Sequence, residues 1–130
     1  MQIKGRASGE VALLSPGPMN QNYAEHAYLA RYLGLLLVEG EDLIVQDGSA
    51  MVRTVAGPKP VSLLWNRLPS AMFDPLELDA TSMLGAAGLV QAIRDGTLKT
   101  VNMVGAGVLE TRALMAFLPK IARERSGRRL

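Results

Sequence analysis

The chain has 130 residues, 48% of them hydrophobic and 20% charged, with 14 basic side chains against 12 acidic ones and a formal charge of +2. That is one domain's length, too apolar for a disordered chain and too weakly basic to argue for a nucleic-acid partner. Cysteine is absent, which excludes disulfides, thiol catalysis and Cys-type zinc sites and leads us to expect a reducing, cytoplasmic home.

Residues 1–10 lead into no long apolar run, so we expect a flexible N-terminal segment and no secretory signal. Residues 11–14 form a short apolar run stopped by Ser15-Pro16-Gly17-Pro18, which reads as a buried strand and a turn. Asn20 is placed to cap a helix over 21–33 that ends at Gly34. Residues 35–38 read as a second buried strand. The best candidate for a membrane span, 33–38, falls far short of the roughly 20 apolar residues required, so no membrane partner is expected. Segments 42–46 and 50–55, joined across Asp47-Gly48, have the signature of a hairpin. Residues 61–65 make another strand after the Gly57-Pro58-Lys59-Pro60 break.

Residues 66–85 contain Pro69 and Pro75 and no clean period, so they read as a loop with one turn of helix. A short helix is expected over 89–94, closed by Gly96, and a last strand over 100–104. From Glu110 onward Leu114, Phe117, Leu118 and Ile121 recur at i, i+3, i+4 and i+7, a helical stripe with a kink or restart expected at Pro119. The basic residues gather in a tail over 123–130, which reads as a solvated helix end or a phosphate-binding patch. Strands alternating with helices predict an α/β fold: a Rossmann-like, mostly parallel sheet with helices on both faces and a β-hairpin excursion, forming one domain over 11–122. In such sheets ligands sit beyond the carboxyl ends of the strands, which directs attention to the loops 15–20, 66–75 and 105–110.

Six blocks in those loops and around them carry a resemblance. They are Gly17-Pro18-Met19-Asn20-Gln21-Asn22-Tyr23-Ala24-Glu25-His26 with its continuation to Gly34, Leu37-Val38-Glu39-Gly40-Glu41-Asp42-Leu43, Trp65-Asn66-Arg67, Phe73-Asp74-Pro75-Leu76-Glu77-Leu78, Gly88-Leu89-Val90, and Val104-Gly105-Ala106-Gly107-Val108-Leu109-Glu110, closing at Ala116-Phe117-Leu118-Pro119. In this order and spacing they resemble the circularly permuted ATP-grasp family, type 2. The resemblance implies an ATP-dependent carboxylate–amine ligase architecture, similar to glutathionylspermidine-synthase-like enzymes, in which an acyl phosphate is made with ATP and magnesium and then displaced by an amine. It further implies that this chain is the pre-ATP-grasp portion, with the lysine-bearing nucleotide core outside it. On that basis the chain alone is expected to be inactive and to need no cofactor of its own, ATP and Mg2+ belonging to the longer protein. Its partners would be the rest of the ATP-grasp core and a small carboxylate or amine substrate. The alternative is a degenerate, non-enzymatic binding or scaffold module that forms a homo-oligomer through an apolar face. The resemblance departs at Asn66-Arg67, where relatives carry two arginines, at 68–71, where they carry an acidic cluster, and at Ala24, where they carry an aromatic residue.

Candidate substrate-side residues follow. Glu25 and His26 share a helical arc with Leu29, Tyr32 and Leu33, so they mark either a cleft wall or an ordinary polar helix start. Arg67, just past a strand, can reach a carboxylate or phosphate with its forked donors. Asp74, before Pro75, either orients Arg67 or starts a turn. Asn20 belongs to the first loop, and Asn102, inside the last strand, either projects toward the same cleft or is a satisfied core amide. Gly105 and Gly107 are in the right context for a phosphate loop, but Glu110 stands where the dinucleotide fingerprint has its third glycine, which favours a tight turn. One histidine and no cysteine give no metal site.

Overall fold

The computed structural model describes residues 9–109 and 111–127. Six strands and three helices follow one another as β1 (Glu10–Leu14), α1 (Tyr23–Leu33), β2 (Leu36–Val38), β3 (Leu43–Gln46), β4 (Ser49–Val52), β5 (Lys59–Asn66), α2 (Leu89–Arg94), β6 (Lys99–Val101) and α3 (Arg112–Ser126), with 3-10 turns at Gly40–Asp42, Ser70–Met72 and Ala106–Val108. The strands form a single sheet in the order β2-β1-β5-β4-β3, with β6 also on β5. Strands β2, β1, β5 and β6 are mutually parallel. The hairpin β3–β4 joins β5 antiparallel. The fold is therefore mixed α/β, with the expected parallel strands and the expected hairpin in one sheet, and one strand, β5, mediates both kinds of pairing. Its start pairs with β4 at Pro60 and Lys59, and its end with β6 from Leu63 to Trp65.

That double duty explains why β5 is longer than the 61–65 its apolar run predicts. Lys59 and Pro60 are extended because the hairpin holds them. The hairpin itself forms where Asp47-Gly48 indicated, and both turn residues have positive φ, 51° and 73°. This is the primed-turn conformation that matches strand twist, accessible to Asp and unhindered in Gly.

Both faces of β1 are covered. Ala12 and Leu14 point to one side and Leu13 to the other, and all three are fully buried. On the first side Leu64, Phe73, Leu89, Ala92 and Leu98 join Ala12 and Leu14 in the main core, so α2 and the 68–88 segment cover that face. Helix α1 packs on β1 and β2, and its buried Ala30 lies outside the main core, as Leu13 does.

Several boundaries move. Helix α1 begins at Tyr23 with Asn22 as N-cap, two residues later than read from Asn20, whose side chain instead accepts from the Asn22 N–H at 2.9 Å. Strand β6 stops at Val101 because Asn102 takes φ 63°, a left-handed conformation that Asn tolerates. Helix α3 runs unbroken through Pro119 and takes in Arg123 to Arg125, so the basic tail is helical there. Its stripe does not face a core: Phe117, Leu118 and Ile121 are exposed. Glu110, Arg128 and Arg129 lie outside the described residues. No helix among the described residues is long and apolar enough to cross a membrane.

Candidate functional site

Parallel strand β1 feeds α1 and then β2 on one side of it, while β5 lies on its other side and leads into α2 and β6. The chain thus departs in opposite directions from neighbouring strands, and the crevice beyond the carboxyl ends of β1 and β5 is where open α/β sheets take ligands. Two residues from distant parts of the chain meet across it. Arg67, one residue past β5, donates from Nη2 to Oε1 of Glu25 in the first turn of α1 at 2.8 Å. Arg67 is fixed twice more: its backbone N–H donates to the Leu14 carbonyl at 3.0 Å, and its guanidinium carbon lies 6.0 Å from the centroid of the Trp65 ring, within cation–π range. The Arg67 side chain is 27% exposed and that of Glu25 56%, so the pair forms the visible rim of the crevice.

Beneath the rim, His26 is buried and its Nδ1 lies 2.9 Å from Ser15 Oγ. Ser15 Oγ also accepts the Gly17 N–H at 3.2 Å. The imidazole therefore ties the loop after β1 to α1. Burial, then the positive charge of Arg67, lower its pKa below the ordinary 6.5, with Glu25 opposing. Its surroundings thus favour the uncharged ring over the imidazolium. Gly17 has φ 95°, and a Cβ there would come 2.8 Å from Glu39 Oε2. The Glu39 carboxylate thus sits against the same loop, at the end of β2.

The remaining candidates take other positions. Asp74 is fully buried, and its carboxylate accepts from the N–H groups of Leu76 at 2.9 Å, Gly88 at 3.1 Å and Val90 at 2.8 Å. It fastens the 73–88 segment to the start of α2, and Arg67 pairs with Glu25 instead. Asn66, which aligns with Leu14 in register, is buried and exchanges hydrogen bonds with Leu68: the Leu68 N–H donates to Oδ1 at 2.9 Å, and Nδ2 donates to the Leu68 carbonyl at 3.3 Å. Asn102 donates from Nδ2 to the Asn66 carbonyl at 3.0 Å, bracing β6 to β5 instead of entering the crevice. In the glycine loop, Gly105 N–H donates to Ser70 Oγ at 3.0 Å. The N–H groups of Ala106, Val108 and Leu109 close turns on Met103, Gly105 and Ala106. Among the described residues no group of three or more His, Asp and Glu comes together to hold a metal. A separate depression of about 310 Å³ lies beside the hairpin, lined in part by Leu43, Val45, Arg53 and Ala86, and shares no residue with the crevice.

Sequence reasoning did not single out Ser15 or Trp65 as site residues, whereas Glu39 stands out in the sequence as an acid at the end of the second strand, placed for a ribose or amine contact. Ser15 stops an apolar strand, which is the signal that it stands at a strand's carboxyl end, and Trp65 precedes Arg67 by two residues on the same strand end.

A family model described as circularly permuted ATP-grasp type 2 matches residues 1–130. The chain belongs to this family. Among its relatives is the uncharacterized protein Rv2567 of Mycobacterium tuberculosis, 42% identical over 112 residues, or 86% of this chain and 13% of that protein. The uncharacterized protein Rv2411c of the same organism is 39% identical over 113 residues, covering 87% of this chain and 20% of that protein. The uncharacterized protein sll0335 of Synechocystis is 36% identical over 115 residues, covering 88% of this chain and 24% of that protein. The chain thus spans between about an eighth and a quarter of the length of these curated circularly permuted ATP-grasp relatives.

Proposed function

We propose that this chain is the substrate-side, pre-ATP-grasp domain of an ATP-dependent carboxylate–amine ligase-like protein, with a Rossmann-like core of four parallel strands, not catalytic on its own. The observation that carries this is Arg67, held by Glu25 and the Trp65 face over the crevice between β1 and β5. A planar guanidinium held by two side chains, on a backbone fixed to β1, is a preorganised donor for a carboxylate. The nucleotide and Mg2+ fall to the remainder of the protein: four of the glycine-loop N–H groups, at Gly105, Ala106, Val108 and Leu109, are engaged within the domain, which leaves few to cradle a phosphate.

The test is a thermal-shift titration of the chain with small carboxylates and, separately, with Mg-ATP. A ligand at 100 times its Kd adds about 2.7 kcal/mol of stability, a shift of several degrees for a domain this size. We expect a saturable shift with a carboxylate that Arg67→Ala abolishes, and none with Mg-ATP. A saturable Mg-ATP shift insensitive to Arg67→Ala overturns the reading.

The exposed α3 stripe favours a second reading, a scaffold module that self-associates through that helix. Light scattering decides it: a dimer that Phe117→Asp converts to monomer supports the scaffold.

A further inference from the structure

The crevice rim carries both signs of charge in direct contact, and this restricts what can replace it. Arg67 enters the crevice already bonded to Glu25 at 2.8 Å. A simple anion that takes the guanidinium separates it from Glu25 and leaves two carboxylates side by side, a repulsive arrangement at short range. A simple cation that takes Glu25 strands Arg67 in the same way. A molecule with a carboxylate and an ammonium a few ångströms apart replaces the internal pair ion for ion and leaves neither residue unpartnered.

The surrounding charges favour the same kind of molecule. Glu39 places a second carboxylate at this end of the sheet, beside the Gly17 turn. His26, beneath the rim, is buried, and burial and Arg67 both disfavour its charged form. Asp42 adds a third carboxylate there, bonded to the Glu39 N–H at 2.9 Å, so an ammonium is favoured at this end of the sheet while a carboxylate has the Arg67 guanidinium as its partner. Trp65 supplies a flat apolar surface under the guanidinium, against which a short aliphatic backbone can lie.

We propose that the ligand of this crevice is a small zwitterion of the amino-acid class, its carboxylate forked by Arg67 and its ammonium held by Glu25. The proposal rests on the reading above that the crevice receives the substrate, and it names that substrate's charge pattern.

Trp65 is the one tryptophan of the chain, so its indole N–H resonance is an unambiguous reporter at the site. The 130-residue chain is titrated with glycine, β-alanine and 4-aminobutyrate, and with acetate and methylamine as single-charge controls. We expect at least one zwitterion to move the indole signal saturably, with a Kd at least tenfold below either control. Arg67→Ala and Glu25→Gln should each weaken that zwitterion at least tenfold, and Glu25→Gln should leave acetate binding equal or tighter. The exposed Glu25–Arg67 pair contributes little to folding, and the melting curves of both variants verify this. If acetate binds as tightly as the best zwitterion and only Arg67→Ala weakens it, the zwitterion is overturned while the carboxylate reading stands. If no probe moves the indole signal of the unaltered chain, both fall together.

Discussion

Strand β1 and helix α3 are both built on apolar residues, yet Ala12, Leu13 and Leu14 are fully buried while Phe117, Leu118 and Ile121 lie open to solvent. Hydropathy is not what separates them. Strand β1 sits between β2 and β5 in the middle of the sheet and has covering elements on both faces. Helix α3 follows the last strand through a segment fixed by the Asn102 bond to Asn66 and the Gly105 bond to Ser70, and among the described residues it makes no extensive packing with the sheet. An apolar stripe reports that a surface is suited to burial, and topology decides whether a partner is present within the same chain.

The contrast can be tested from its strongest side first. Phe73→Ala, at a fully buried core position, should cost about 3–5 kcal/mol of unfolding free energy, measured by urea denaturation. Asp74→Ala should cost roughly 3 kcal/mol, since it leaves three backbone N–H donors without their acceptor. The next effect depends on pH. The folded-state pKa of His26 is lowered, so below about 6.5 the unfolded chain takes up a proton that the folded chain resists. Stability present above pH 6.5 should therefore fall as the pH drops toward the lowered folded value. Melting temperatures between pH 7.5 and 5.5 should show this decline, and His26→Asn should flatten it. As the chain's one histidine, His26 makes the assignment direct. Glu25→Gln should change stability by about 1 kcal/mol or less, the range of an exposed pair. The smallest effect sharpens the comparison most: Phe117→Ser on α3 should change stability by about 0.5 kcal/mol or less. A loss near that of Phe73→Ala would mean that α3 is packed in solution and that the two regions do not differ.

Local chemistry was legible in the sequence wherever it determines structure locally. Asp47-Gly48 marked the hairpin because few dipeptides adopt two successive positive φ angles, and 89–94 was a helix for its period and its closing Gly96. Arg67 could be singled out because it stands just past a strand. What it would meet could not, because Glu25 is 42 residues away and only the parallel pairing of β1 with β5 brings them together. Asp74 shows the same limit from the other side. Asp-Pro is a turn signal, and the Leu76 N–H does close such a turn, but the donors at Gly88 and Val90 come from a segment whose return no local pattern encodes. The end of β6 falls short of the expected Val104 because Met103 and Val104 keep the apolar character of a strand while Asn102, just before them, leaves the extended region at φ 63°. The length of β5 was misjudged because Pro60 reads as a breaker, yet here it sits where the antiparallel partner joins.

Strand β5 has one further consequence. Its first residues are locked to the hairpin at Met51 and Val52, and its last residues present Trp65 and lead directly into Arg67. Side chains alternate between faces along a strand, so the hairpin acts as an index mark for a ruler whose far end carries the guanidinium. Between the two ends the alternation is interrupted once, where Val61 and Leu63 face the consecutive residues Glu10 and Val11; a slip at the hairpin that this irregularity did not absorb would exchange the faces of Trp65 and Asn66 together, turning the buried amide toward α1 and the indole into the core. The aim of Arg67 is thus set some seven residues upstream, by a turn that touches nothing in the crevice.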